Sequence, residues 1–244
     1  MNKLLTTLFV LAVACATTLA QAQTAAPAAS AAAPAAAPAT TAAKPAAPGP
    51  TSAKSIEAKV AMCIGCHGIK GYQASFPEVY RVPMISGQSA KYIVAALTAY
   101  KNGDRKHPTM RGIAETLTEQ DMNEIAAHYE ADGKDDGAAP ADKPREPSPQ
   151  VAALLQKAAC VSCHGANFSK PIDPSYPKIA GQHKDYLFVA LKAYKVDNNP
   201  AVGRSNGVMG AIAKQFSTAE LKALAQYVSS LDGELKTIPE KKFR

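Results

Sequence analysis

Two copies of one pentapeptide carry the residues whose types and spacing point most directly to chemistry. Cys63-Ile-Gly-Cys-His67 is followed 97 residues later by Cys160-Val-Ser-Cys-His164. A Cys-x-x-Cys-His sequence is the attachment site of a c-type haem. Its cysteines form thioethers to the vinyl groups of the macrocycle, and its histidine is an axial ligand of the iron. The sequence therefore predicts two covalently bound haem c groups, held by Cys63, Cys66, Cys160 and Cys163, with His67 and His164 on the irons.

The repeat extends beyond the two pentapeptides, which indicates that a whole haem-binding unit is duplicated. The segment Pro83-Met-Ile-Ser-Gly-Gln88 matches Pro177-Lys-Ile-Ala-Gly-Gln182 at an offset of 94 residues. Farther along the chain, Met110 matches Met209 at an offset of 99 residues. Small changes of offset place insertions in connecting loops, where they are tolerated best. Four tyrosines that follow the repeated glutamines are expected to pack around the haems, with packing in the protein core as the alternative: Tyr92, Tyr100, Tyr186 and Tyr194.

Each copy is predicted to be helical. A helix that begins at Ser148 is expected to run into the second haem motif, and its counterpart begins near Ser55. After each repeated glutamine, apolar residues recur at helical spacing and indicate a second helix. The last helix of each copy begins with a capping-box pattern at Thr118 or at Ser217. No segment alternates with the period of a strand, so the predicted fold class is all-α.

Composition and duplication divide the chain into five segments. Residues 1–22 have the charged start, apolar stretch and A-x-A cleavage site of a secretory signal peptide. Residues 23–54 are rich in Ala and Pro and are predicted to be a disordered leader. Two haem domains are expected over residues 55–131 and 148–244, the second ending in a basic tail. The Gly-, Pro- and charge-rich residues 132–147 are the predicted linker.

This set of motifs resembles the two-domain, two-haem cytochromes c of bacteria, and specifically the cytochrome c4 family. The resemblance covers the chain after the leader. It rests on the paired Cys-x-x-Cys-His motifs, the Pro-x-Ile-x-Gly-Gln turns, the aromatic second helices and one methionine 43 to 45 residues after each motif histidine. It implies two tandem class I cytochrome c-like haem domains related by internal duplication. It also implies that Met110 and Met209 are the second axial ligands, opposite His67 and His164.

Alternatives to the methionine ligands remain open at this stage. Both methionines are predicted to lie in loops before the last helix of their copy. None of the other candidate histidines is matched by a histidine in the other copy, and His107 lies three residues before Met110. The resemblance further implies that the carbonyl groups of Pro83 and Pro177 accept hydrogen bonds from the motif histidines. The histidines that could replace a methionine are His107, His128 and His183.

Charge and export restrict the partners that are expected. The formal charge of +7 comes from 27 basic and 20 acidic residues, which are scattered and accompany no nucleic-acid-binding motif. The signal peptide predicts export to the periplasm, where the partners would be redox proteins: a terminal oxidase, a quinol-oxidising complex or a periplasmic dehydrogenase. A loose lipobox match that ends at Cys15 leaves lipid anchoring and peripheral membrane association open.

Two six-coordinate irons have no vacant position for a substrate, so the resemblance predicts an electron-transfer protein and not an enzyme. The leading hypothesis is a respiratory-chain carrier that delivers electrons to a terminal oxidase. The alternatives are the electron-accepting haem subunit of a periplasmic dehydrogenase and a two-haem peroxidase, which needs a five-coordinate iron. Zinc and dithiol chemistry are disfavoured because the two cysteine pairs are too far apart for a common zinc site and lack a βαβ context.

Overall fold

A computed structural model describes residues 55–132, 134 and 144–239. The predicted signal peptide with Cys15, the leader, residues 133 and 135–143 of the predicted linker and the last five residues of the basic tail lie outside the described residues. We refer to residues 55–132 as the first half and to residues 144–239 as the second half. Within the described part of the chain, no helix is long and apolar enough to cross a membrane.

Four helices form the first half. They are α1 (Ile56–His67), α2 (Ala90–Asn102), α3 (Pro108–Glu115) and α4 (Glu119–Asp132). The Ser55 hydroxyl accepts a hydrogen bond from the Ala58 N–H and so caps α1. Gly103 ends α2 with a φ of 82°, a left-handed conformation that glycine adopts without strain. The apolar faces of α1, α2 and α4 meet in a core that includes Val60, Leu97 and Ile125.

Five helices form the second half. They are α5 (Pro149–Lys157), α6 (Val161–His164), α7 (Lys184–Ala193), α8 (Gly207–Lys214) and α9 (Thr218–Ser229). The prediction of a single helix from Ser148 into the haem motif is wrong, because α5 ends at Lys157. Ala159 has a φ of 47°, which a continuing right-handed helix does not allow. The second haem motif therefore lies on a separate short helix.

Four strands of two residues each were not predicted. They are β1 (Gln73–Ala74), β2 (Tyr80–Arg81), β3 (Arg105–Lys106) and β4 (Gly203–Arg204). Strand β1 pairs with β2 inside the first half, and β3 of the first half pairs antiparallel with β4 of the second half. A two-residue strand is too short to show the alternation by which strands are recognised. The helices dominate, and the all-α prediction is confirmed.

The repeated glutamine turns join the two halves through matching hydrogen bonds. The Gln182 side chain accepts from the Met84 N–H at 3.1 Å and donates to the Met84 carbonyl at 2.9 Å. The Gln88 side chain makes the same two bonds with the backbone of Lys178, both at 3.0 Å. Because Met84 and Lys178 occupy the same position of the repeat, the halves meet through self-complementary surfaces.

Candidate haem sites

The first haem motif lies at the carboxyl end of α1. Cys63 packs against the core of the first half, and burial raises the pKa of its thiol. His67 is the last residue of the helix, and its Nδ1 lies 2.8 Å from the carbonyl oxygen of Pro83. A carbonyl oxygen can only accept a hydrogen bond, so Nδ1 of His67 carries the hydrogen. In the neutral ring, Nε2 is then the nitrogen that is able to bind a metal.

The second motif repeats this arrangement on α6. His164 is the last residue of the helix, and its Nδ1 donates to the Pro177 carbonyl at 3.2 Å. Burial lowers the pKa of His164 and of His67, against the opposing effect of each proline carbonyl, and so favours the neutral imidazole. The prediction that two proline carbonyls orient the motif histidines is confirmed. This kind of contact fixes the tautomer and orientation of a metal-binding histidine.

Both predicted methionine ligands lie in the first turn of a helix, so the expectation that they lie in loops is wrong. Met110 is on α3, where the His107 Nδ1 accepts from its N–H at 3.4 Å. Met209 is on α8, where the Asn206 Oδ1 accepts from its N–H at 2.9 Å. Each N-cap fixes the start of the helix that carries the methionine. Met110 also packs against the core that Cys63 contacts.

The alternative histidines have other contacts in the structure. His107 caps α3 through Nδ1, and its ring meets the Phe76 ring edge-on with 6.1 Å between centroids. His128 is on α4 and lies edge-on to Tyr129 at 5.2 Å. His183 precedes α7, and burial is the largest cause that lowers its pKa. Both halves place a methionine at the same position of a helix, whereas none of these histidines has a histidine at the equivalent position of the other half.

Sequence reasoning missed a pair of arginines that the structure places between the halves. Arg105 on β3 lies directly opposite Arg204 on β4. The four repeated tyrosines surround them: the Arg105 guanidinium lies over the Tyr100 ring at 4.5 Å, and that of Arg204 lies over the Tyr194 ring at 5.4 Å. The two arginines repeat at an offset of 99 residues, as Met110 and Met209 do, and this signal was available in the sequence.

The donor set fits a covalently attached haem. All four motif cysteines are free, and burial raises the pKa of Cys160 as it does that of Cys63. A dithiol catalyst needs the opposite shift, toward a thiolate. Within the described residues, no group of three or more His, Cys, Asp or Glu could hold a metal ion. A haem linked at these cysteines would bring an iron already held by its porphyrin, to which His67 or His164 would add a ligand.

Comparisons with known proteins agree with the motifs and the fold. The family model for cytochrome c matches residues 149–232. The chain is 29% identical to cytochrome c4 of Stutzerimonas stutzeri over 199 residues, which cover 73% of this chain and 89% of the relative. It is 30% identical to a thiosulfate dehydrogenase electron acceptor of Stutzerimonas stutzeri strain A1501 over 178 residues. These residues cover 69% of this chain and 78% of that relative.

A solved structure extends this likeness to the fold. The crystal structure of reduced recombinant cytochrome c4 from Pseudomonas stutzeri aligns with a TM-score of 0.54 at 25% identity, covering 72% of this chain and 97% of that one. The chain is thus an electron-transfer protein and not an enzyme, it carries two covalently bound c-type haems, and its partners are redox proteins. It belongs to the cytochrome c4 family of di-haem cytochromes c.

Proposed function

We propose that this chain is a periplasmic electron carrier in which His67 with Met110, and His164 with Met209, are the axial ligands of the two haem irons. The observation that carries the proposal is the hydrogen bond from each motif histidine to a proline carbonyl, which directs Nε2 to the metal. When bound, each haem supplies one-electron chemistry. The protein holds the macrocycle through thioethers and excludes other ligands from the iron.

A terminal oxidase is the proposed electron acceptor. Thioether sulfur is a weak donor that favours the reduced iron, so His/Met ligation raises the reduction potential. A high potential suits a carrier late in a respiratory chain, where the acceptor is strongly oxidising. The proposed site of this exchange is the periplasm, because residues 1–22 have the pattern of a secretory signal peptide.

A second role, as the electron acceptor of a periplasmic dehydrogenase, is supported by one specific similarity. The relative at 30% identity is named a thiosulfate dehydrogenase electron acceptor. A carrier can accept electrons from a dehydrogenase and then deliver them to an oxidase, so the two roles are compatible. The similarity supports a dehydrogenase as the donor.

The charge distribution supports an acidic docking surface on a partner. The second half contains eleven Lys or Arg and seven Asp or Glu residues. The first half contains eight Lys or Arg and nine Asp or Glu residues. A basic surface attracts an acidic partner over a distance set by ionic strength. We therefore propose that the acidic partner approaches the second half.

The axial assignment is tested by replacing each methionine singly. Met110→Ala and Met209→Ala should each convert one haem to a form that binds carbon monoxide after reduction, because each opens one coordination position. The potential of that haem should fall, since a donor that favours ferrous iron is lost. Met62→Leu is the control, because Met62 is 52% exposed and unmatched in the repeat. If both alanine variants keep the wild-type spectrum and potentials, the assignment is wrong.

The partner assignment is tested by stopped-flow kinetics with purified proteins from the same organism. The reduced carrier should be oxidised rapidly by the terminal oxidase, and the rate constant should fall as salt concentration rises because the attraction is screened. The oxidised carrier should be reduced by a periplasmic dehydrogenase. Reduction by the dehydrogenase without oxidation by the oxidase would favour the second role alone, and a rate independent of salt would refute electrostatic docking.

A further inference from the structure

The two helices that carry the proposed methionine ligands begin with different residues at the same position of the repeat. His107 is the N-cap of α3 and Asn206 is the N-cap of α8, and each precedes its methionine by three residues. The His107 Nδ1 accepts from the Met110 N–H at 3.4 Å, and the Asn206 Oδ1 accepts from the Met209 N–H at 2.9 Å. Each cap therefore bonds to the backbone of the residue that is proposed to bind iron.

Both caps lie close to the strand pair that joins the halves. His107 follows β3 immediately, and Asn206 lies two residues after β4, which pairs with β3. The Ser205 N–H donates to the Asp104 carbonyl at 2.6 Å and extends this pairing. The chain is extended at both caps, with φ values of −161° and −123°. The backbone before each helix is thus fixed, and the cap determines how the first helical turn continues from it.

The hydrogen bond at the first cap restricts the role that His107 can take. A backbone N–H can only donate, so Nδ1 of His107 carries no hydrogen and its lone pair is already used. In the neutral ring the hydrogen is then on Nε2, which leaves no nitrogen lone pair free for a metal. His67 has the opposite tautomer, in which Nε2 is available. The cap therefore suits His107 to support Met110 and not to replace it.

Phe76 contacts the His107 ring and limits its rotation. The two rings meet edge-on, with 6.1 Å between their centroids and 77° between their planes. Phe76 lies between β1 and β2, in the segment that joins the first haem motif to its proline turn. This segment has fifteen residues, whereas its counterpart in the second half has twelve. The longer segment of the first half thus supplies a side chain that packs on the cap of α3.

We propose that His107, oriented by Phe76, is a positioning residue that holds Met110 on the iron of the first haem, and that Asn206 does the same for Met209 in the second half. The inference rests on the proposed function, since it requires the two methionines to be axial ligands. Loss of an N-cap loosens the first turn of a helix, and each methionine lies in that turn. A cap substitution should therefore weaken the iron–sulfur bond of its own half alone.

Displacement of the methionines by imidazole in the oxidised holoprotein tests this. Each axial methionine gives its own methyl proton resonance, shifted by the paramagnetic iron, and Met110→Ala and Met209→Ala assign the two resonances. His107→Ala should lower the imidazole concentration that half-displaces the first methionine by about fivefold, the factor expected for loss of a typical N-cap. It should leave the second haem unchanged. Asn206→Ala should affect the second haem and leave the first unchanged.

Two further variants and a control separate the cap from general weakening of the helix. His107→Asn should hold Met110 at least as firmly as the wild type, because asparagine is a preferred N-cap and supplies the same acceptor. Phe76→Leu should give part of the His107→Ala effect, at the first haem only. Arg111→Gln is the control, because it removes an exposed ion pair with Glu115 from the same helix and leaves the cap in place. It should change neither haem.

The outcomes separate this inference from the proposed function. If neither methionine variant loses a resonance, the axial assignment is wrong and both proposals fail. If the assignment holds but His107→Ala leaves the first haem unchanged, or changes both haems alike, the positioning role is wrong and the electron carrier stands. If His107→Ala is not recovered with two haems, Phe76→Leu decides the question, because an unchanged first haem in that variant would contradict the inference.

Discussion

At the scale of single residues, the second haem motif depends on the glycine that follows its histidine. Gly165 has a φ of 78°, and a Cβ on it would lie 2.0 Å from the carbonyl oxygen of Lys170. This close approach turns the chain directly after His164. The Cys163 carbonyl then accepts from the Ile172 N–H at 3.1 Å, which secures the loop against the motif. The glycine therefore contributes to the position of an iron ligand that it does not touch.

We predict that Gly165→Ala destabilises the protein by about 2 kcal/mol or more, because the side chain meets backbone atoms and the left-handed conformation is strained. Gly112→Ala is the matched substitution in an exposed helix position, where a Cβ meets nothing within 4 Å. It should stabilise by roughly 0.5–1 kcal/mol. Urea unfolding followed by circular dichroism measures both. Equal effects of the two alanines would contradict the role given to Gly165.

At the scale of elements, an ion-pair cluster ties α1 to α4 in the first half. The Lys59 ammonium lies 2.8 Å from Asp121 and 2.7 Å from Glu124, and its side chain is only 7% exposed. The hydrogen bond from Lys59, followed by that from Thr118, holds the pKa of Asp121 well below its usual range. Asp121, and then Glu124, raise the pKa of Lys59. The cluster fixes the helix that leads into the first haem motif.

This cluster predicts a loss of stability in acid. A depressed folded-state pKa means that the Asp121 contribution is complete above the unfolded-state pKa of about 3.9 and disappears as pH falls through the folded-state value. The free energy of unfolding should therefore begin to fall below about pH 5 and continue to fall as the pH approaches the depressed folded-state pKa of Asp121. Lys59→Met should lower stability at pH 7 and reduce this acid dependence. If the variant keeps the wild-type slope, the cluster is not its source.

Helix ends with strong local signals were predictable, and short elements were not. The capping boxes predicted at Thr118 and Ser217 are present. The helices that carry Met110 and Met209 were missed because eight residues give only two turns of pattern. Their N-caps at His107 and Asn206 were signals that could have identified them.

At the same scale, the haem motifs could be predicted from the sequence, but the placement of the two halves against each other could not. The pentapeptides and the proline turns could be predicted because their chemistry is local or repeated. The pairing of β3 with β4 depends on how the two halves pack against each other, and no local sequence pattern indicates that packing. The pairing of Arg105 with Arg204 was missed for this reason, although the repetition of the two arginines at the methionine offset was visible in the sequence.

At the scale of the whole molecule, the two halves are held by contacts that each half contributes in the same form. The side chains of Gln88 and Gln182 each bond to both backbone groups of a residue across the contact. Arg81 adds an ion pair with Asp185 at 3.0 Å. The two glutamines lie in the same turns as the prolines that orient His67 and His164. The contact between the halves and the haem sites therefore share these two turns.

We predict that Gln182→Ala costs about 1–3 kcal/mol of unfolding free energy, because it leaves the N–H and carbonyl of Met84 without their partner. Gln88→Ala should cost a similar amount through Lys178. Gln120→Ala is the control, since that glutamine lies on exposed α4 surface and contacts only Glu124 in the described hydrogen-bond network. Chemical denaturation of the holoprotein measures all three. A cost no larger than that of the control would contradict the reciprocal contact.

The proposed chain holds two six-coordinate, one-electron haem centres. Reductive titration of the purified protein under carbon monoxide, followed by absorption, measures both the number of centres and their coordination. We expect uptake of two electrons per chain and a reduced spectrum identical to that obtained under argon, because methionine would occupy the sixth position of both irons. Uptake of a single electron, or a spectrum changed by carbon monoxide at either haem, would contradict it.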